Sequence, residues 1–209
     1  MKRPSLLFLP LLLLAAGMLV SCDEVTEATK YDNWQERNEA FIDSIKAKTG
    51  DSYVATPDAA DAMELDKLYA IQIPTGGTTA GSQYVYCRKL VKNAQGERPL
   101  YTGYHSTVKA HYYGTLINGD RFDGTFEGYG APDARIPLDA LKEPTSFESP
   151  ATFAVSGVIA GWTWPLQYMR RGERWMLYIP WQSGYGASGN SSILGYSALT
   201  FDLMLTGVE

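Results

Sequence analysis

From residue 83 to residue 209 the chain alternates short apolar stretches with turn residues and leaves room for a single helix, which restricts the fold to one class. Residues 84–91 alternate as a strand, and Asn93-Ala94-Gln95-Gly96-Glu97 is a turn. Residues 106–116 read as a second strand. Asn118-Gly119-Asp120 is a strong hairpin turn, and Arg121-Phe122-Asp123 begins the return. Residues 152–155 form a short strand and residues 175–180 another. Residues 198–207 are the last, with Leu199, Phe201, Leu203 and Leu205 on one face. The helix falls over 158–169, with Pro165 limiting its start, since proline is tolerated in a first turn. One helix against several antiparallel strands is an α+β pattern. The heavy use of Tyr (14) and Gly (20) leans the same way.

The first 82 residues are organised differently. Lys2 and Arg3 precede an apolar run from Leu6 to Val20, broken by Pro10. That run is short for a spanning helix and reads as a signal peptide over 1–21. It ends in Leu19-Val20-Ser21-Cys22, which resembles the lipobox of bacterial lipoproteins, in which the cysteine carries acyl chains. The expected outcome is lipidation at Cys22 and anchoring to a bacterial cell-envelope membrane, periplasmic or surface-facing. Residues 22–32 are a polar, acidic tether. In residues 33–48, Trp34, Asn38, Phe41, Ile42 and Ile45 recur at spacings of three and four, which predicts an amphipathic helix. Asp32 or Asn33 is placed to cap it and Gly50 to end it. Its stripe must meet the main domain, a second copy in a homodimer, or a neighbouring protein. Residues 51–63 read as loop, and 65–73 fit either a helix or a strand before the turn at Pro74-Thr75-Gly76-Gly77. The expected organisation is therefore a helical N-terminal extension over 33–82 and a second domain over 83–209.

Charge and cysteine content exclude several classes. Loss of residues 1–21 removes two of 18 basic residues and none of the 23 acidic ones, so the net charge falls by two from −5. An acidic domain lacks the basic patch that phosphate contacts require, so nucleic acid is not an expected partner. With Cys22 lipidated, Cys87 has no partner for a disulfide and reads as a buried strand thiol. His105 and His111 have no cysteine or glutamate at ligand spacing, so no metal is expected. Gly184-Tyr185-Gly186-Ala187-Ser188-Gly189 matches a dinucleotide motif, but no βαβ unit follows, and no cofactor is expected. The most informative run is Val158-Ile159-Ala160-Gly161-Trp162 through Gly186. It holds no conventional nucleophile, so any site it builds works by shape and apolar surface.

The ordered pieces of residues 84–209 resemble FKBP-type peptidyl-prolyl cis-trans isomerases. They are His111-Tyr112-Tyr113-Gly114, Asn118-Gly119 with Phe122-Asp123, Phe153, Val158-Ile159-Ala160-Gly161-Trp162, Met169 with Gly172-Glu173, Ile179-Pro180, Tyr185-Gly186, Ile193, and Leu199 to Leu203. The resemblance implies a bent antiparallel sheet wrapped around a short helix with an apolar pocket between them. It implies Trp162 as the floor, Val158 and Ile159 as lining, and Tyr112, Phe122 and Phe201 as aromatic walls. Tyr185 and the Ile159 N–H would donate to substrate carbonyls, Asp123 would sit at the rim, and Ile193 would border the pocket. Proline-containing polypeptides are the implied partners, with macrolide-type inhibitors as further ligands.

Three departures stand out. Ala151 occupies a position that is usually aromatic, and the stretch 124–150 is longer than in the minimal fold. The usual Ile-Pro-Pro reads Ile193-Leu194-Gly195. Phe126, Tyr129 and Phe147 are candidates to restore the wall, and Arg135 to partner Asp123. These departures favour an alternative, a peptide-binding or chaperone-like module with weak or no isomerase activity. A surface lipoprotein that binds glycans through Trp and Tyr rests on aromatic content alone.

Overall fold

The alternation near the C-terminus becomes the strand on which the molecule is organised. The computed structural model describes residues 30–74, 83–130 and 135–209. The expected signal peptide, Cys22 and residues 23–29 of the tether lie outside the described residues, as do residues 75–77 of the turn after Pro74. Contacts divide the chain into Met1–Asp32 and Asn33–Glu209. The elements of the second unit are α1 (Trp34–Thr49), β1 (Tyr53–Val54), β2 (Leu68–Ile73), β3 (Gln83–Val91), β4 (Thr107–Thr115), β5 (Arg121–Gly124), β6 (Ala151–Ala154), α2 (Ala160–Tyr168), β7 (Arg174–Ile179) and β8 (Leu199–Val208). The strands form one sheet in the order β1-β2-β3-β7-β8-β4-β5, and β6 also pairs with β4. Every pairing is antiparallel except that of β1 with β2. Residues 65–73, open between helix and strand in the sequence, supply β2. Residues 51–63, read as loop, supply β1 and a 3-10 turn, Ala59–Ala62.

The central strands are buried on both faces. On the inner face Leu199, Phe201, Leu203 and Leu205 of β8 and Trp175, Leu177 and Ile179 of β7 pack toward α2. Cys87 is buried there too, and burial pushes its thiol pKa up, which suits an inert core residue. Helix α2 can approach closely because Gly161 has no Cβ, which would lie 2.3 Å from Ile179 Cγ2. The helix begins at Ala160, so Pro165 falls in its interior and not in its first turn as the sequence suggested. A two-turn helix loses only one internal bond by this, and Met169 N–H still closes the end on the Pro165 carbonyl at 3.0 Å.

The outer face is covered by α1 and by the long stretch after β5. Ile45 packs with Ala70, Tyr86, Leu90, Met176 and Tyr178, and Phe41 and Ile42 are partly buried against them. The apolar stripe of α1 is thus spent on its own sheet. Its start differs from expectation, because Asn33 adopts a left-handed conformation (φ 51°) and makes no side-chain cap, while Gly50 (φ 55°) ends it. Asn38 lies in the stripe because its amide is satisfied there, donating to Trp34 O at 2.6 Å and accepting from Ala198 N–H at 2.7 Å.

Two buried ion pairs organise the polar atoms. Arg174 and Asp202 meet on the outer face, fully buried, through Nε–Oδ1 at 2.8 Å and Nη2–Oδ2 at 2.7 Å. The Arg174 guanidinium lies against the rings of Phe126 and Tyr129 and donates to the Lys142 carbonyl at 2.6 Å. Lys89 and Glu173 meet at 2.6 Å, and Glu173 also accepts from Trp175 Nε1 at 3.0 Å. Breaking a buried pair leaves a charge without compensation. Asp202→Ala is therefore expected to lower unfolding stability by about 3–5 kcal/mol in urea titration, with the stretch 125–145 the first region to lose hydrogen-exchange protection.

Candidate functional site

Five elements bring aromatic side chains to one place above α2. Strand β4 alternates so that Tyr112 faces inward while His111 faces out against Phe126. The Asn118–Asp120 turn, with Gly119 at φ 85°, returns β5 so that Phe122 and Asp123 lie beside Tyr112. A side chain at Gly114 would collide with Phe122 and Phe201, at 2.7 and 2.8 Å, so this glycine makes room for both rings. Trp162 comes from the first turn of α2, Phe153 from β6 and Phe201 from β8. Three rings contact the Trp162 indole close to edge-on: Tyr112 at 5.3 Å, Phe153 at 5.3 Å and Phe201 at 5.1 Å. Phe122 meets Phe201 at 5.4 Å. Edge-to-face packing of this kind fixes ring orientation.

Above this floor lies a cavity of about 270 Å³. Of the sequence-derived site residues, Tyr112, Phe122, Asp123, Val158, Ile159, Trp162, Tyr185 and Phe201 line it. Ile193 does not. Ile193 is buried, and its N–H donates to Asn190 Oδ1 at 2.8 Å. Phe153 and Gly157 also line the cavity and were not assigned to it from sequence. Phe153 carried a usable signal, since it belongs to the recognised pattern, whereas Gly157 carried none.

The aromatic candidates for the wall near Ala151 are elsewhere. Phe126 and Tyr129 stack on Arg174 on the opposite face of the sheet, and Phe147 is 96% exposed. Ala151 pairs with Ala110 in the sheet register, so two methyl groups stand where a ring was expected. Arg135 is exposed, and among the described residues it forms no ion pair with Asp123. Within the stretch 124–150, Phe126 and Ile136 are buried, Phe126 against Arg174 and Ile136 in the cluster of the outer face.

The polar groups at the mouth are few and coupled. The Tyr112 hydroxyl donates to Asp123 Oδ2 at 2.8 Å, and Asp123 Oδ1 accepts the Gly124 N–H at 2.8 Å. Burial first, and the Asp123 carboxylate second, push the Tyr112 phenol well above the ordinary tyrosine range. Burial and then Asp123 also raise Tyr185, which is partly exposed at the rim. Both phenols are therefore O–H donors at neutral pH. Trp162 Nε1 is buried and has no hydrogen-bond partner among the described residues, an unusual cost for a native structure unless a ligand acceptor meets it. Among the described residues the lining contains no Ser, Cys, His or Lys. Its chemistry is an apolar floor, a carboxylate and a few donors, which suits a step without proton transfer or a covalent intermediate.

Comparison with known proteins places the same region in context. Residues 102–206 match the family described as FKBP-type peptidyl-prolyl cis-trans isomerase. The chain is 31% identical over 132 residues to the FKBP-type peptidyl-prolyl cis-trans isomerase FkpA of Aeromonas hydrophila, covering 63% of this chain and 40% of that protein. It is 34% identical over 131 residues to the outer membrane protein MIP of Legionella longbeachae, covering 62% of this chain and 45% of that protein. It is similar to the crystal structure of FkpA from Escherichia coli, with a TM-score of 0.53 and 26% identity over 87% of this chain and 64% of that one. The chain spans less than half the length of these two curated relatives.

The buried phenol gives the site a pH signature. Above about pH 10 an unfolded tyrosine ionises while folded Tyr112 keeps its proton. The folded state then binds more protons, so this contribution to stability is complete below about pH 10 and is lost as pH rises toward the raised value. Tyr112→Phe is expected to make the alkaline fall in stability shallower, read as urea unfolding free energy against pH. An unchanged slope would show that Tyr112 is not held protonated.

Proposed function

The chain belongs to the FKBP-type peptidyl-prolyl cis-trans isomerase family, and from that premise we propose that residues 83–209 catalyse rotation about X-Pro bonds in polypeptides of the bacterial cell envelope. The observation that carries the reading is the indole of Trp162, held edge-on by three rings beneath an apolar cavity with one carboxylate at its mouth. A prolyl ring would sit on that floor. The Tyr185 hydroxyl and the Ile159 N–H would hold the flanking carbonyls.

The physics of the reaction suits these groups. Rotation about a peptide bond faces a barrier of about 18–20 kcal/mol because amide resonance must be broken. The cis and trans forms of X-Pro differ by only about 0.5–1 kcal/mol, so the problem is kinetic. A planar amide is more dipolar than a twisted one. An apolar cavity therefore disfavours the planar form relative to the twisted one, and the rate gain comes from that difference. Asp123, oriented by Tyr112 and the Gly124 N–H, fixes the electrostatics on the side where the imide twists. Slow X-Pro steps take about 10–100 s unaided, which gives such a catalyst a role in folding.

A second reading is a peptide-binding or chaperone-like module with weak or no isomerase activity. The bare wall at Ala151 and the lack of Ile193 among the lining residues favour it. The same two features weaken the expected grip on macrolide-type inhibitors. Pairing of copies through α1 loses its motive, because the stripe of that helix is packed on its own sheet.

A protease-coupled assay with a cis-proline tetrapeptide, using the soluble form from Asp23 onward, tests the enzyme reading. Asp123→Asn and Tyr112→Phe are each expected to lower kcat/KM by about tenfold, as lost stabilisation of the twisted state. Wild-type protein that suppresses aggregation but gives no rate above background would establish the second reading instead.

For location we propose lipid attachment at Cys22 of the full chain and residence in the cell envelope. The lipobox-like ending of the apolar run supports this, and one relative bears the name outer membrane protein. Cys22→Ala is expected to abolish incorporation of labelled palmitate into the expressed protein, since the acylated residue would be lost. Equal labelling of the two forms would exclude a lipid at this residue.

A further inference from the structure

Helix α2 has a second face. Gly161, Trp162, Pro165, Leu166 and Met169 face the core. Ala160, Trp164 and Gln167 lie on the other side at i, i+4 and i+7, and Thr163 beside them is buried, its hydroxyl donating to the Val155 and Val158 carbonyls at 3.0 and 3.3 Å. A face turned toward water ordinarily carries charge, yet this one has none and presents a half-buried tryptophan. These four residues line a second cavity of about 430 Å³, which Tyr101, Ser156 and Val158 complete. Val158 lines this cavity as well as the one above Trp162, so the two are neighbours on either side of a single side chain.

The opposite wall is pre-organised. Tyr101 and Tyr104, 51% and 92% exposed, stand on the connection between β3 and β4. That connection is folded back by a bond from Leu100 N–H to His105 O at 2.8 Å, with Gly103 and His105 at positive φ. Its far end is bound to the site by Val155 N–H on Ser106 O at 2.8 Å. Its near end is held by Arg98, which bonds Asp61 at 2.6 Å and the Tyr168 carbonyl. An aromatic side chain on a loop already fixed in place loses little freedom on binding.

We propose that the groove between Tyr101 and Trp164 is an accessory subsite for the substrate polypeptide, taking an apolar, uncharged segment near the proline seated over Trp162. The proposal rests on the reading of the first cavity as a prolyl site. The shared Val158 sets the occupant, because a chain leaving the first cavity over that residue reaches the second. One helical turn separates Ala160 from Trp164, about 5.4 Å, and an extended chain rises about 3.3 Å per residue. The groove therefore spans about two residues of extended chain, and as a neighbour of the first cavity across one side chain it takes a segment within about four residues of the proline. Its neutral lining selects for apolar side chains and against charged ones.

The test compares a tetrapeptide with a longer peptide that carries the same X-Pro bond and two leucines within that reach. In Tyr101→Ser and Trp164→Gln, kcat/KM for the longer peptide is expected to fall about fivefold through KM, the scale of one lost aromatic contact. The tetrapeptide should stay within about twofold, and Trp164→Phe should restore the longer substrate. Equal losses on both peptides would mark these residues as merely structural and overturn the proposal, as would no loss on either. If wild-type protein isomerises neither peptide, the prolyl reading fails separately. The groove is then judged by calorimetric binding of the longer peptide: weakening by Trp164→Gln upholds it, and indifference overturns it.

Discussion

Arg174 and Asp202, buried together on the outer face of the two central strands, are the interaction on which most of the structure depends. Two ions removed from water need full compensation. Here the compensation comes from the stretch after β5. Tyr129 N–H and the Lys142 carbonyl complete the hydrogen bonding, and the rings of Phe126 and Tyr129 lie over the guanidinium. A long connection that would otherwise be free to reach the rim is instead a cover for a charged pair.

The pair also fixes what happens on the other face. Asp202 follows Phe201 on β8, and successive strand residues point to opposite sides. A shift of one residue would turn Phe201 outward and bury a carboxylate beneath Trp162. Arg174 is paired with Met204 in the β7–β8 register, two positions from Asp202. The guanidinium therefore bonds diagonally across the two strands and resists such a slip. The aromatic floor depends on this register, because Phe201 is one of the three rings that hold the Trp162 indole. A polar interaction with no access to the cavity thus supports the geometry of an apolar one.

Legibility in the sequence followed the range of the forces involved. Strands with strict alternation, such as β8, and turns with a steric signature, such as Asn118-Gly119-Asp120, could be read because neighbouring residues determine them. The floor of the site could be read because its residues recur in a fixed order around Trp162. Long-range choices could not. Nothing local distinguishes Phe126 as a cover for Arg174 from Phe126 as a cavity wall. Residues 65–73 become a strand only because β3 offers an edge to pair with. Ile193 sits in the expected order, yet it is not among the residues that line the cavity. Pro165 within α2 broke the first-turn expectation because tertiary packing around Trp162 and Leu166 sets where that short helix begins.

Helix α1 belongs to this logic more than its position in the chain suggests. Asn38 is the polar member of an otherwise apolar stripe, and its side-chain oxygen accepts the Ala198 N–H. Trp34 Nε1 donates to Ser197 Oγ at 2.9 Å beside it. These two bonds secure the start of β8 and the chain leading into it. Tyr196 then donates its N–H to Gly186 O at 3.0 Å, and its ring meets Trp181 at 5.0 Å. Gly186 follows Tyr185, whose ring lines the cavity. A connected series of contacts therefore runs from the outer helix, around the end of the sheet, to a hydroxyl at the mouth of the site. Removing polar partners from that series would loosen Tyr185 without touching the floor. The floor is set by the sheet register, and the rim is set in part by a helix on the opposite face.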